Sequence, residues 1–197
     1  MGELHVYMHT TLDGVIQANG GPTEQDAGFE YGGWETPYGD EQSGGQVVAD
    51  IRRGDALLLG RVTYDIWRTY WPFQSDPIAQ QFNAIPKYVA SRGTPDLSWS
   101  GSVQVTDAAA EVRALVARHE QVHTWGSADL LQTLFAEGLV DQVNLWVSPV
   151  VIGQGKRLWP DGTTPSRFLP VGPATTYPAG ATLLRYRCLE GAPERTS

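Results

Sequence analysis

The chain has 197 residues, 41% of them hydrophobic and 18% charged, which is enough apolar material for one globular domain with a sizeable core. A net charge of −8 excludes an extended nucleic-acid surface, because phosphate backbones need clustered Lys and Arg; a single phosphorylated cofactor needs only local positive charge. Cys188 stands alone, so an intrachain disulfide and a thiolate metal cluster are excluded, and the four histidines form no HExxH arrangement.

No apolar run approaches the ~20 residues of a membrane span and the start MGELHVYMHT has no signal pattern, so a cytoplasmic protein is expected. Leu4 to Thr11 reads as a strand with Leu4, Val6 and Met8 on one face and His5, Tyr7 and His9 on the other. His9 reads as an interior or rim histidine. Asp13 has two readings: an Asp-Gly turn residue, or a carboxylate at the mouth of a strand that orients a substrate. Residues 17 to 45 form a long irregular stretch of glycines, acids and aromatics. Phe29, Tyr31, Trp34 and Tyr38 could close over a flat ring or pack as the loop's own small core.

Gln46 to Arg53 reads as a short helix capped by Gly54. Asp55 to Trp67, DALLLGRVTYDIW, then carries a buried strand over Ala56 to Leu59, a break at Gly60 and a helix opening with Arg61 and Thr63. A strand that turns directly into a helix leaves unpaired N–H groups at the positive end of the helix, a natural phosphate site that Gly60 lets the ligand approach closely; an ordinary βα turn is the alternative. Pro77 to Ala84 reads as a helix, and Lys87 to Ala90 as a strand emptying into Ser91 and Arg92. Ser102 to Val105 follows as a strand, Asp107 caps a helix to about Arg118, and Gln121 to Trp125 is a strand. Gly126-Ser127 opens a third strand-to-helix junction, whose helix stops at Gly138. Asp141 to Ile152 reads as one strand with a bend at Pro149. Gly153 to Arg157 fails both phosphate-loop fingerprints and reads as a tight turn. Phe168 to Val171, Ala174 to Tyr177 and Thr182 to Leu189 read as antiparallel strands, and residues 191 to 197 as a frayed tail after a single domain over 1–190.

The segments TTLDGVIQ, GGW, DALLLGRVTYDIW, PKYVASR, HTWGSADLLQTLFAEGLVDQ and SPVVIGQGKRLWPDG occur in this order over nearly the whole chain. Together they resemble the dihydrofolate reductase-like superfamily, and within it the RibD C-terminal (riboflavin-biosynthesis reductase) domains. The resemblance implies an α/β three-layer fold: a mixed, mostly parallel central sheet of about eight strands, helices on both faces and a C-terminal antiparallel hairpin. It implies NADPH as cofactor, held by Gly60, Arg61 and Thr63, by Ser91 and Arg92, and by Gly126, Ser127, Ala128 and Leu130. In dihydrofolate reductases the Gly126-Ser127 position is a Gly-Gly pair with a cis peptide; here serine replaces the second glycine.

The function expected is hydride transfer from NADPH to a small polar, heterocyclic or imine-like substrate, with Trp34, Lys156 and Arg157 toward the substrate and a proton from Asp13 or ordered water. None of Glu24, Asp26, Glu30, Glu35, Asp40 and Glu41 can be assigned the family's helix carboxylate. The chain carries no counterpart of the deaminase zinc domain of the bifunctional enzyme, so reduction alone is expected. Alternatives are the riboflavin-pathway reduction of 5-amino-6-(5-phosphoribosylamino)uracil, dihydrofolate reduction, and a non-catalytic nucleotide-binding or interaction protein. A homodimer is expected from the resemblance.

Overall fold

Residues 2–21, 26, 28–189 and 191 are described by a computed structural model. The proposed tail beyond Gly191, and Glu24, lie outside the described residues. The elements are β1 (Glu3–Thr11), α1 (Glu41–Ile51), β2 (Ala56–Gly60), α2 (Arg61–Trp67), α3 (Pro77–Ala84), β3 (Lys87–Ala90), β4 (Ser102–Val105), α4 (Ala108–Arg118), β5 (Gln121–Thr124), α5 (Ala128–Ala136), β6 (Gln142–Ser148), β7 (Arg167–Pro170), β8 (Thr175–Thr176) and β9 (Thr182–Leu189). The nine strands form a mixed sheet in the order β4-β3-β2-β5-β1-β6-β9-β7, with β8 also on β9. The pairs β1·β5, β2·β5, β2·β3 and β3·β4 are parallel, whereas β9 is antiparallel to β6, β7 and β8. No helix among the described residues is long and apolar enough to cross a membrane.

The chain divides into two compact units, one of the residues to Val6 with Gln46–Asp141, the other of Tyr7–Gly45 with Gln142 onward. In the first, β2 is buried along its whole length, as a continuous apolar run in a parallel sheet should be. Ile51, Leu57, Leu59, Tyr64, Phe82, Val89 and Trp99 form its core, with Trp67, Trp71 and Trp125 packed against it. Trp67 stacks on Phe82 at 4.9 Å, which fixes α2 through its C-terminal end. Truncating an aromatic such as Phe82 would cost about 3–5 kcal/mol.

Two expectations change. The helix read from Gln46 begins at Glu41, because Asp40 and Ser43 form reciprocal bonds: Ser43 N–H donates to Asp40 Oδ1 and Asp40 N–H to Ser43 Oγ, both at 2.9 Å. That capping box outweighs the cost of Gly44 and Gly45 inside the first turns. The strand read to Ile152 ends at Ser148; Pro149 interrupts it, and the backbone beyond is bound elsewhere, Val150 O by Leu12 N–H and the Ile152 and Gly153 N–H groups by Asp13. Both faces of β1 are buried: His5 and Tyr7 on one, Leu4 and Val6 on the other.

In the second unit the aromatic loop folds on itself. Trp34 is buried and its Nε1–H donates to Gln17 O at 2.8 Å. Phe29 lies where a Cβ on Gly155 would come within 2.8 Å of its ring, while Tyr31 stays exposed.

Candidate functional site

The first unit gathers the strand exits. Gly60 pairs in register with Ala90, so β2 and β3 reach their C-terminal ends at the same level, and β5 lies on the other side of β2. Gly60 N–H donates to Gly126 O at 2.9 Å. A Cβ on Gly60 would stand 2.3 Å from Ser127 Oγ and 2.6 Å from Ser127 N, so only glycine lets β2 meet this turn so closely. Gly126 has φ +115° and its peptide to Ser127 is cis, with serine in the second position. Thr63 Oγ1 lies 3.0 Å from where a Gly126 Cβ would be. Gly60, Thr63, Gly126 and Ser127 are thus in one place, and the N-termini of α2 and α5 with them.

These two helices differ from the others in how they begin. Asp76 caps α3, accepting from the Ile78 and Ala79 N–H groups, and Asp107 caps α4, accepting from Ala110 N–H. Asp40 does the same for α1. Gly60 and Ser127, the N-caps of α2 and α5, make no side-chain cap bond. The first-turn N–H groups there have no carboxylate to meet them, and the helix dipole adds partial positive charge at the same point. Ala128 and Leu130 lie in this first turn of α5; Leu130's side chain is buried, so only its N–H can serve a ligand.

The cations are distributed unevenly. Arg61 is ion-paired with Asp65 one turn along α2, and Asp65 also receives Arg68 at 3.3 Å. Arg92 is exposed, with no hydrogen bond or ion pair to it among the described residues. Its turn is pinned by Gln104, whose Nε2 donates to Ser91 O at 2.8 Å and Gly93 O at 2.6 Å, and by Ser91 Oγ, which accepts from Gly93 N–H.

In the second unit Asp13 serves its turn. Its carboxylate accepts from the Thr11 hydroxyl at 2.6 Å and from the N–H groups of Gly153 and Ile152 at 2.8 and 3.2 Å. The Thr11 bond above all, with those backbone bonds, outweighs desolvation and lowers the carboxyl to about 2. That is a poor state for a proton donor. Arg157 is committed to the same turn, Nη1 donating to Asp13 O at 2.6 Å, whereas the Lys156 side chain is exposed. Trp34, expected toward substrate, is the buried side chain whose Nε1–H donates to Gln17 O.

The same unit holds a pair that sequence reasoning missed. His9 Nδ1 lies 2.8 Å from Glu35 Oε2, and Asn19 Nδ2 donates to that oxygen at 2.9 Å. The His9 ring lies parallel to the Trp146 indole, with centroids 6.1 Å apart and planes 12° apart. Glu35 was one carboxylate among six in the loop; only the fold singles it out. Among the described residues no group of three His, Cys, Asp or Glu could hold a metal ion.

An alternating sheet whose adjacent parallel strands empty into uncapped helix N-termini defines an α/β protein with an anion-ready edge. The chain belongs to the RibD C-terminal domain family, whose model matches residues 3–177. It is 31% identical over 114 residues to the uncharacterized protein YyaP of Bacillus subtilis (strain 168), a match spanning 54% of this chain and 60% of that protein. Its fold is that of a pyrimidine reductase-like protein of Corynebacterium diphtheriae, with TM-score 0.67, 14% identity, and coverage of 96% of this chain and 93% of that one. It is also that of the dihydrofolate reductase from Enterococcus faecalis complexed with NADP(H), with TM-score 0.60, 14% identity, and coverage of 96% and 98%.

Proposed function

We propose that the chain is an NADPH-dependent reductase that delivers hydride to a small polar, heterocyclic or imine-like substrate. The observation that carries this reading is the contrast among helix N-termini: α1, α3 and α4 begin on carboxylate caps, while α2 and α5, held against each other through Gly60 and Ser127, do not. A pyrophosphate there would meet unpaired N–H groups at two positive helix ends. The Thr63 hydroxyl and Ser91 could add hydrogen bonds. Arg92 is available as a cation, and Arg61 would be shared with Asp65. Membership of the RibD C-terminal family and the NADP(H) of the Enterococcus dihydrofolate reductase support the choice of cofactor. The cofactor supplies the hydride, and the protein binds, orients and excludes water.

Calorimetry and thermal melting with NADPH test the reading. Saturable binding with a raised melting temperature is expected; no binding and no shift at millimolar NADPH would remove its basis. Within the class, the family match favours the riboflavin-pathway reduction of 5-amino-6-(5-phosphoribosylamino)uracil as a second reading. Its substrate phosphate would depend on Lys156, since Arg157 is held by the Asp13 turn. Rescue of a riboflavin auxotroph lacking only the reductase decides it, and a spectrophotometric assay with dihydrofolate decides folate reduction. NADPH binding without oxidation across a substrate panel would favour a non-catalytic role. We also propose a homodimer through β7, one edge strand of the sheet, where Leu169 and, just beyond the strand, Val171 are exposed.

A further inference from the structure

We infer that Arg68 is a positioning residue for Arg61 and Arg92, the two cations offered to the cofactor phosphates, and that it thereby sets a preference for NADPH over NADH. The inference rests on the reductase reading above. The two cofactors differ by one phosphate monoester, on the adenosine ribose. A dianion of that kind is gripped by guanidinium N–H edges, provided that nearby carboxylates do not occupy those edges first.

Every group concerned lies in the first unit. Gly60 of β2 pairs in register with Ala90 of β3, so Arg61 and Arg92 stand one and two residues beyond neighbouring strand ends. Arg61 donates through Nε to Asp65 Oδ2, while its Nη1 and Nη2 make no hydrogen bond among the described residues. Gripped by that one edge, the guanidinium keeps its two-pronged edge for a phosphate. Arg68 shares the same carboxylate from its other oxygen: its Nε donates to Asp65 Oδ1 at 3.3 Å. Arg68 Nη1 lies 3.0 Å from Asp96 Oδ2, in the loop after β3 that also carries Arg92. Asp96 is itself fixed, accepting from Ser98 N–H at 3.0 Å, and Gln104 pins the start of the same loop at Ser91 O and Gly93 O. Arg68, at the C-terminal end of α2, therefore ties the helix that begins with Arg61 to the loop that holds Arg92.

Losing Arg68 acts in one direction by three routes. Asp65 Oδ1 loses its donor, so Arg61 turns its Nη groups onto the carboxylate and is withdrawn from the ligand. Asp65 and Asp96 lose the cation that balances them and repel a phosphate. The Arg92 loop loses its tie to α2.

Calorimetric titration of the full chain with NADPH and with NADH, alongside thermal melting, tests the assignment. Wild type should prefer NADPH. Arg68→Gln should weaken NADPH binding by about 5–20-fold and NADH binding by less than about twofold, with little change in Tm, because partly exposed ion pairs add little stability. Arg68→Lys keeps the charge without the fork that spans two carboxylates, so it should regain only part of the preference. Asp96→Ala separates positioning from charge, and stands in for Arg68→Gln if that variant fails to fold. It removes a negative charge, so a field effect alone would tighten NADPH binding, whereas loss of the tie weakens it. A wild type that binds neither nucleotide overturns the reductase reading and this assignment with it. Where wild type binds NADPH, the assignment alone is overturned by equal affinity for NADH, by an undiminished preference in Arg68→Gln or Asp96→Ala, or by its complete recovery in Arg68→Lys.

Discussion

Acid should unfold this protein through His123. The ring is fully buried on β5, stacked on His5 of the adjacent strand at 6.1 Å. Burial first, then the charge of His5, pushes it down to about 3, against the ordinary 6.5. Between pH 6.5 and about 3 the unfolded chain binds a proton that the folded chain refuses, so stability falls as pH falls through that window and is unaffected above it. Each pH unit in the window costs roughly 1.4 kcal/mol: about 2 kcal/mol at pH 5, and roughly 4–5 kcal/mol near pH 3. Asp13, Glu35, Asp40 and Asp55, all lowered, add losses in the same direction as pH drops through the carboxylate range. The clean comparison is therefore urea unfolding near neutral pH against about pH 5, for wild type and His123→Gln. Wild type should lose about 2 kcal/mol, and the variant should lose far less, whatever its absolute stability. Equal wild-type stability at both values, or a variant that keeps the full loss, would refute the argument.

Gly60→Ala should destabilise by about 1–3 kcal/mol in thermal melts, because the new Cβ collides with the Ser127 backbone N as well as with its Oγ, so turning the serine side chain away does not relieve the clash. Arg61→Ala should weaken NADPH binding in calorimetry with little change in melting temperature, since its partly exposed pair with Asp65 is worth less than about 1 kcal/mol. Asp76→Ala and Asp107→Ala should do the reverse, each costing about 1 kcal/mol of stability while leaving NADPH affinity alone. Sedimentation should give a dimer for wild type and a monomer for Leu169→Lys; a monomeric wild type would end the dimer proposal.

Much of the fold was legible because local signals agreed with each other. Asp76 followed by Pro77 marks the start of α3, and the Pro178-Ala179-Gly180 turn leads into β9. Elsewhere local signals misled. Gly44-Gly45 reads as loop until the Asp40–Ser43 box is seen, and Val150 to Ile152 reads as strand until Asp13, far away in sequence, is found holding the Ile152 and Gly153 N–H groups. The three strand exits were legible as similar junctions in the sequence, but that Gly60 and Ser127 touch is a matter of tertiary distance. Glu35 was unreadable for the same reason: nothing nearby in sequence distinguishes it, and its meaning lies in His9 on another element.

A crystal structure with NADPH bound tests the central claim most directly. The account predicts pyrophosphate oxygens within hydrogen-bond distance of first-turn N–H groups of α2 and α5, beside Gly60 and Ser127. A pyrophosphate bound anywhere else would contradict it.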